Sequence, residues 1–266
     1  MGVSLIGILI LCGMLTNLMS AVFGIGGGVL MVPILYTLFP SFPLQMIAAT
    51  SLTIVIGTAL INLIYFYQQK IKINMKSVLF WSFGMIIGVQ FGFEASFYLI
   101  DNIIIGVFVG TLTLLALKTI FIPPKMQTAQ SNANENLKGT ALCLFGGTIA
   151  GMTGIGGGSI MAPLLGQLRS IKPYQIAPYS NYLMVIGGLG SLYGYLAKQP
   201  PFHLDHIWQV GYVSFSIVII VVLSSFLTSF LSMKIRGILK PDLARKLLGY
   251  ILLIIAAYML LIHLTK

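Results

Sequence analysis

The stretch Gly24-Ile25-Gly26-Gly27-Gly28 occurs twice in this chain, the second time as Gly154-Ile155-Gly156-Gly157-Gly158. Glycine has no Cβ, so its backbone N–H groups can touch a ligand directly, and three in a row interrupt a helix. Where such a run opens a helix, the first-turn N–H groups lack intrahelical acceptors and the helix end carries about half a positive charge. That combination binds oxyanions. Small polar pairs follow both copies at the same spacing, Thr50-Ser51 and Ser180-Asn181. Neutral hydroxyl and amide donors hold an anion without the fixed counter-charge that would trap it. The candidate substrate-binding set is therefore Gly26, Gly27, Gly28, Thr50 and Ser51, with Gly156, Gly157, Gly158, Ser159, Ser180 and Asn181.

Other chemistries fit less well. A dinucleotide fingerprint starting at Gly24 would need glycine at position 29, where Val29 stands. His203-Leu-Asp-His206 has metal-ligand residue types but no further ligands nearby, so a solvated loop is expected. Cys12 and Cys143 lie in apolar segments, with no CxxC, and read as packing residues. No His, Asp or Glu adjoins either glycine motif, so neither a nucleophile–base pair nor a metal or other cofactor is expected, and the chain does not read as an enzyme. Glu94 and Gln90 lie near the end of an apolar run. Glu94 is read as an interfacial carboxylate, with proton coupling as the alternative role, and His263 is interfacial as well.

The segments that must position these residues are membrane spans. The chain is 58% hydrophobic and 8% charged, against about 25% charged for a soluble domain. The first charge is Lys70, and further uncharged runs cover 77–93, 102–117, 139–168, 173–197, 207–233 and 247–265. Runs near 20 residues can cross a bilayer. The net charge of +10 sits almost entirely in short connections between apolar runs, which is what the positive-inside rule produces and which excludes a nucleic-acid partner. Residues 3–20 have the apolar length of a signal-peptide core, but no Lys or Arg precedes them, and they are read as part of the mature protein.

The spans form a repeat. A shift of 130 residues sets Gly24–Gly28 on Gly154–Gly158, Pro33 on Pro163, Pro43 on Pro173, Gln45 on Gln175, Gly57 on Gly187 and Tyr65 on Tyr195. A gapless offset of this length signals internal duplication. The expected units are a first repeat at 1–121, a polar cytoplasmic linker at 122–138 and a second repeat at 139–266. Each repeat has an apolar arm (3–23; 139–153), the glycine motif, a short second arm (29–39; 159–168) and three full spans. Those spans are 44–67, 77–97 and 102–121, then 174–197, 207–232 and 244–264. A second arm of about 15 Å covers half of the roughly 30 Å hydrocarbon core, so it cannot cross alone.

Charge distinguishes a crossing broken helix from a re-entrant hairpin. With crossing, the best orientation leaves eight Lys/Arg inside and seven outside. With re-entry the second repeat is inverted, and thirteen of the 15 Lys/Arg lie inside, with only Lys198 and Lys266 outside. The expected fold is an all-α polytopic membrane protein of two inverted repeats, about eight apolar segments in all. Both termini lie outside the cell membrane, and both glycine motifs lie near the midplane. Ser51, Thr58, Asn62 and Tyr65 share one helical face that must meet protein or a cavity. The glycines of Gly84-x-x-x-Gly88-x-x-x-Gly92 and Gly106-x-x-x-Gly110 are assigned to helix packing.

The paired glycine motifs, each with proline five residues after its last glycine (Pro33, Pro163), together with Ala48-Ala-Thr-Ser51, resemble the TauE/SafE family, also called the 4-toluene sulfonate uptake permeases. The likeness covers nearly the whole chain. Ala177-Pro-Tyr-Ser-Asn181 departs from the small Gly-Thr-Ser-like stretch of that family. The resemblance implies a secondary transporter of sulfite, sulfonate, thiosulfate or a related sulfur anion, within the lipid bilayer. Proton coupling and a homo-oligomer are compatible with it. An anion channel, or a transporter of a carboxylate or another oxyanion, is the alternative.

The topology is checked by single cysteines in a cysteine-free background. Cysteines at 72, 128 and 236 are expected to resist an impermeant thiol reagent added outside, and one at 203 to react. Labelling of 203 and 236 from the same side would contradict the hairpin topology.

Overall fold

In the computed structural model, residues 3–23, 27–121, 133–168, 170–200, 208–235 and 241–265 are described. Among them are ten α-helices: α1 (Val3–Phe23), α2 (Gly28–Leu38), α3 (Leu44–Gln68), α4 (Met75–Ala95), α5 (Asp101–Phe121), α6 (Ala133–Thr153), α7 (Gly157–Leu165), α8 (Ile176–Ala197), α9 (Phe215–Ile235) and α10 (Pro241–Thr265). A two-stranded antiparallel hairpin, β1 (Gln209–Val210) and β2 (Val213–Ser214), precedes α9. Gly26, the linker residues 122–132, Arg169, the 203–206 loop and 236–240 lie outside the described residues.

Local chemistry sets the helix ends. Pro43 stands before α3 and Pro241 opens α10, where a missing N–H costs nothing. The Asn74 side chain caps α4 by accepting from the Lys76 N–H at 3.1 Å. Asp101 in the first turn of α5 and Lys118 in its last complement the helix dipole. The apolar stretches Leu44–Gln68, Met75–Ala95, Asp101–Phe121 and Arg245–Thr265 are each long enough to cross a bilayer, so the chain is an all-α membrane protein.

Two of the expected boundaries move. The 207–232 span starts at Phe215, because Gly211 (φ +57°) turns the chain into the β1–β2 hairpin first. The arm expected at 139–153 starts at Ala133, inside the polar linker segment, with Glu135 in its first turn.

Four helix pairings build the bundle: α4 with α6, α1 with α9, α5 with α10, and α3 with α8. Ser77 hydrogen bonds to Asn136 at one end of the α4–α6 pair, and Gly92 lies against Thr148 and Met152 at the other, so these helices run parallel. Gly84, Gly88 and Gly92 all face α6, as expected for packing: a Cβ on Gly88 would sit 2.9 Å from the Thr148 nitrogen. Gly106 and Gly110 do not pack against any of the described residues. Nothing lies within 4 Å of a Cβ built on either, since both occupy the outer side of α5.

The connections sort to two ends. At one, the Gln175 side chain donates to the Lys72 carbonyl (2.6 Å), Ser170 N–H to Glu135 (2.8 Å) and Asn74 N–H to the Tyr179 hydroxyl (2.7 Å). The Ser170–Glu135 bond brings the chain after α7 back to the start of α6. At the other end, Gln45 donates to the Ser96 carbonyl (2.8 Å), Tyr212 N–H to the Tyr195 carbonyl (3.0 Å), and Lys198 pairs with Glu94.

Gly88→Val and Gly92→Val are expected to lower thermal stability in detergent by about 1–3 kcal/mol, the scale of overpacking a tight contact. Gly110→Ala is expected to leave the midpoint within about 1 kcal/mol of the parent. A fluorescence-detected melting series checks both.

Candidate functional site

The two glycine motifs meet. A Cβ on Gly28 would lie 2.9 Å from the Gly156 nitrogen and 2.7 Å from the Ile155 carbonyl carbon, and one on Gly156 would lie 3.3 Å from Gly28 Cα. Only glycine permits this approach. Gly156 also has φ +74° and ψ 130°, a conformation that a side chain would strain, and Gly154 has φ +73°. The contact is walled by Val55, near the middle of α3.

The short helices α2 and α7 begin at this crossing, with Gly27 and Gly156 as their N-caps. No side chain caps either, so their first-turn N–H groups remain directed at the crossing. Further along, Pro33 and Pro163 lie inside these helices. Each lacks an N–H, which frees the carbonyl four residues earlier, at Val29 and Ser159.

Most of the predicted polar residues gather here, and all of them are fully buried. Ser51 joins the two motifs, since its hydroxyl donates to the Gly154 carbonyl at 2.8 Å and lies 3.4 Å from the Gly28 carbonyl. Ser180 reaches the Gly158 carbonyl at 3.5 Å, and Ser159 the Gly156 carbonyl at 3.3 Å. Thr50 points elsewhere: its oxygen accepts from the Ser214 N–H at 3.1 Å, beside the β1–β2 hairpin. The Asn181 amide donates to the Ala177 carbonyl (2.7 Å) and accepts from Asn62 (3.4 Å). In this arrangement the neutral donors engage protein carbonyls, and the crossing is closed. Two cavities with room for about one water molecule each flank it, one between Thr153, Val32 and Met259 and one between Val55, Met85 and Tyr195.

The stripe on α3 meets protein along its length. Thr58 bonds within its helix (3.1 Å to the Val55 carbonyl), Asn62 bonds to Ser20 (2.9 Å) and Tyr65 to Ser229 (3.0 Å). Asn17 and Ser20 were missed by sequence reading, because nothing near them in sequence sets them apart from other polar residues of an apolar helix. Glu94 stands at the end of α4 in an ion pair with Lys198, whose ammonium lies 3.9 Å over the Phe97 ring. Beside this pair, burial pushes the Tyr212 phenol up while Lys198 works against the shift. Among the described residues no three of His, Cys, Asp and Glu come together as a metal site.

An apolar helical bundle closed on two half-length helices that start at glycine is the build of a multi-pass membrane transporter. The chain belongs to the sulfite exporter TauE/SafE family, whose model matches residues 9–259. It is 53% identical over 265 residues to a probable membrane transporter protein of Haemophilus influenzae, covering 99% of this chain and 98% of that one. It is 28% identical to a probable membrane transporter protein of Methanocaldococcus jannaschii, over 97% of this chain and 96% of the relative. A probable membrane transporter protein of Bacillus subtilis is 26% identical over 77% of this chain and 82% of its own length. No solved structure matches the chain.

Ser51→Ala leaves the Gly154 carbonyl without its hydroxyl donor in a buried site. It is expected to lower stability by about 1–3 kcal/mol, read as a lower melting midpoint in detergent.

Proposed function

We propose that this chain is a secondary transporter of a small sulfur-containing oxyanion such as sulfite, a sulfonate or thiosulfate. The observation that carries the reading is the crossing itself, where Gly28 meets Ile155 and Gly156 at the starts of α2 and α7. Two helix N-termini, each of about half a positive charge, converge there with no Lys or Arg beside them. An anion enters when the crossing opens. It takes the N–H groups of Gly26–Gly28 and Gly156–Gly158, draws the donors of Ser51, Ser159, Ser180 and Asn181 away from the carbonyls they now serve, and takes the Thr50 hydroxyl as a further donor.

The proposed topology is two inverted repeats with re-entrant glycine hairpins and both termini outside the cell membrane. The return of the chain from α7 to Glu135 supports it, as does the grouping of residues 72, 74, 135 and 175 at one end. Exchanging the two halves turns the pairing of α1 with α9 into that of α6 with α4, which is the pattern a two-fold relation gives. Alternating access then amounts to rocking one hairpin against the other about the crossing.

Proteoliposomes test the substrate. Uptake of sulfite, thiosulfate, taurine, sulfoacetate and sulfate is measured in parallel. Saturable uptake of at least one sulfur anion is expected, lost in Gly156→Val, where a side chain obstructs the crossing. Flux proportional to concentration would instead mark a channel, and normal uptake by Gly156→Val would remove the crossing from the pathway.

A further inference from the structure

A second polar cluster lies between α1, α3, α8 and α9. It holds Asn17, Ser20, Asn62 and Asn181, all fully buried, with Ser225 and Thr228 on α9. Their hydrogen bonds fix which way the amides face. The Asn181 nitrogen donates to the Ala177 carbonyl, so its oxygen faces Asn62. The Asn62 nitrogen must then face Asn181 and Ser20. The Asn17 nitrogen donates to the Ser225 carbonyl at 2.8 Å. Reversing any of these amides would set oxygen against oxygen. Both remaining amide oxygens, Asn17 Oδ1 and Asn62 Oδ1, are buried without a hydrogen-bond partner among the described residues.

A buried acceptor left unpaired is costly, and two in one cluster point to a ligand that reads lone pairs. The helix ends agree with this. Ser20 sits in the last turn of α1, which ends at Phe23 just before the first glycine motif. The last four carbonyls of that helix have no intrahelical donors, and its terminus carries about half a negative charge. Duplication does not account for the cluster, because the 130-residue shift places Gly147, Ala150 and Leu192 opposite Asn17, Ser20 and Asn62. The first-half members of the cluster have no polar counterparts in the second half.

We propose that this cluster binds a small alkali cation, ligated by Asn17 Oδ1, Asn62 Oδ1 and the terminal carbonyls of α1. Neutral oxygens suit a monovalent ion, whereas Ca²⁺ and Mg²⁺ take carboxylates. A proton would need a titratable group. Among the described residues, the acidic side chains Glu94, Asp101 and Glu135 stand at the ends of α4, α5 and α6 instead. Asn181, a member of the anion set, also bonds to Asn62, so the cation sits beside the anion and supplies the counter-charge that the crossing lacks. Carrying the two together cancels the work that the membrane potential does on a monovalent anion such as a sulfonate, and halves it for a dianion. The coupling role rests on the transport reading above. The binding role does not.

Binding is tested on the purified full-length chain in detergent without any anion substrate. Choline chloride is replaced stepwise by NaCl, and in a second series by KCl, at constant ionic strength, while thermal unfolding is followed. The midpoint is expected to rise and saturate with one of the two ions, as for a ligand of the native state. The half-saturating concentration should increase at least tenfold in Asn62→Ala and in Asn17→Leu. Asn62→Asp, which turns an amide oxygen into a carboxylate, should retain or strengthen the response. A wild-type midpoint indifferent to both ions overturns the proposal and leaves a buried water on these oxygens. So does a monodisperse Asn62→Ala protein with the wild-type titration, or an Asn62→Asp protein that no longer responds. Should both truncations fail to fold, the wild-type and Asn62→Asp titrations decide. A saturable response alongside absent sulfur-anion uptake would keep this site and discard the substrate reading.

Discussion

A polypeptide inside a bilayer must satisfy every backbone N–H and C=O from within itself, and this fold starts two short helices, α2 and α7, in its buried interior. Everything else is arranged around those starts. The two short helices start against each other, with Gly28 touching Ile155 and Gly156, so that the start of α2 covers the extended backbone before α7. Ser51 donates to the Gly154 carbonyl, and Ser180 and Ser159 lie near those of Gly158 and Gly156. A glycine is needed because any larger residue would separate the two strands of backbone and expose both.

The rest of the bundle holds these half-length helices in place. The α2 and α7 helices, with 11 and 9 residues, are too short to be anchored by their own ends in the bilayer. Each follows a 21-residue helix that is clamped to a full span, α1 on α9 and α6 on α4. The α4–α6 clamp depends on Gly84, Gly88 and Gly92, which let the two backbones approach. On α1 the same job falls to Gly13, whose Cβ would stand 2.7 Å from the Val221 carbonyl oxygen, with Ser225 donating to the Gly13 carbonyl at 3.0 Å. Both short helices are thus held by tight helix pairs and meet at a closely fitted crossing.

Much of this was legible in the sequence because membrane spans are bounded by charge and turns by proline and glycine. The arms at 3–23, 29–39 and 159–168 and the spans of α3, α4, α5 and α8 follow from those signals. The β1–β2 hairpin was hidden because Trp208–Ser214 carries no charge to set it apart from the span behind it. The early start of α6 was hidden because Asn and Glu in its first turn read as linker. Small-residue spacing singles out Gly84, Gly88 and Gly92 and Gly106 and Gly110 alike, but among the described residues only the first three meet a partner helix, because the pattern carries no information about where that partner lies. The meeting of the two motifs, and the turn of Thr50 toward Ser214, depend on how the halves pack and have no local signal.

The central claim is that the anion passes at the crossing of the two motifs. The most direct test is electron cryomicroscopy in nanodiscs, without anion and then saturated with the sulfur anion that the uptake panel identifies. The account predicts new density between the starts of α2 and α7, with Gly28 and Gly156 drawn apart to admit it. Density elsewhere, with Gly28 and Gly156 still in contact, would contradict it.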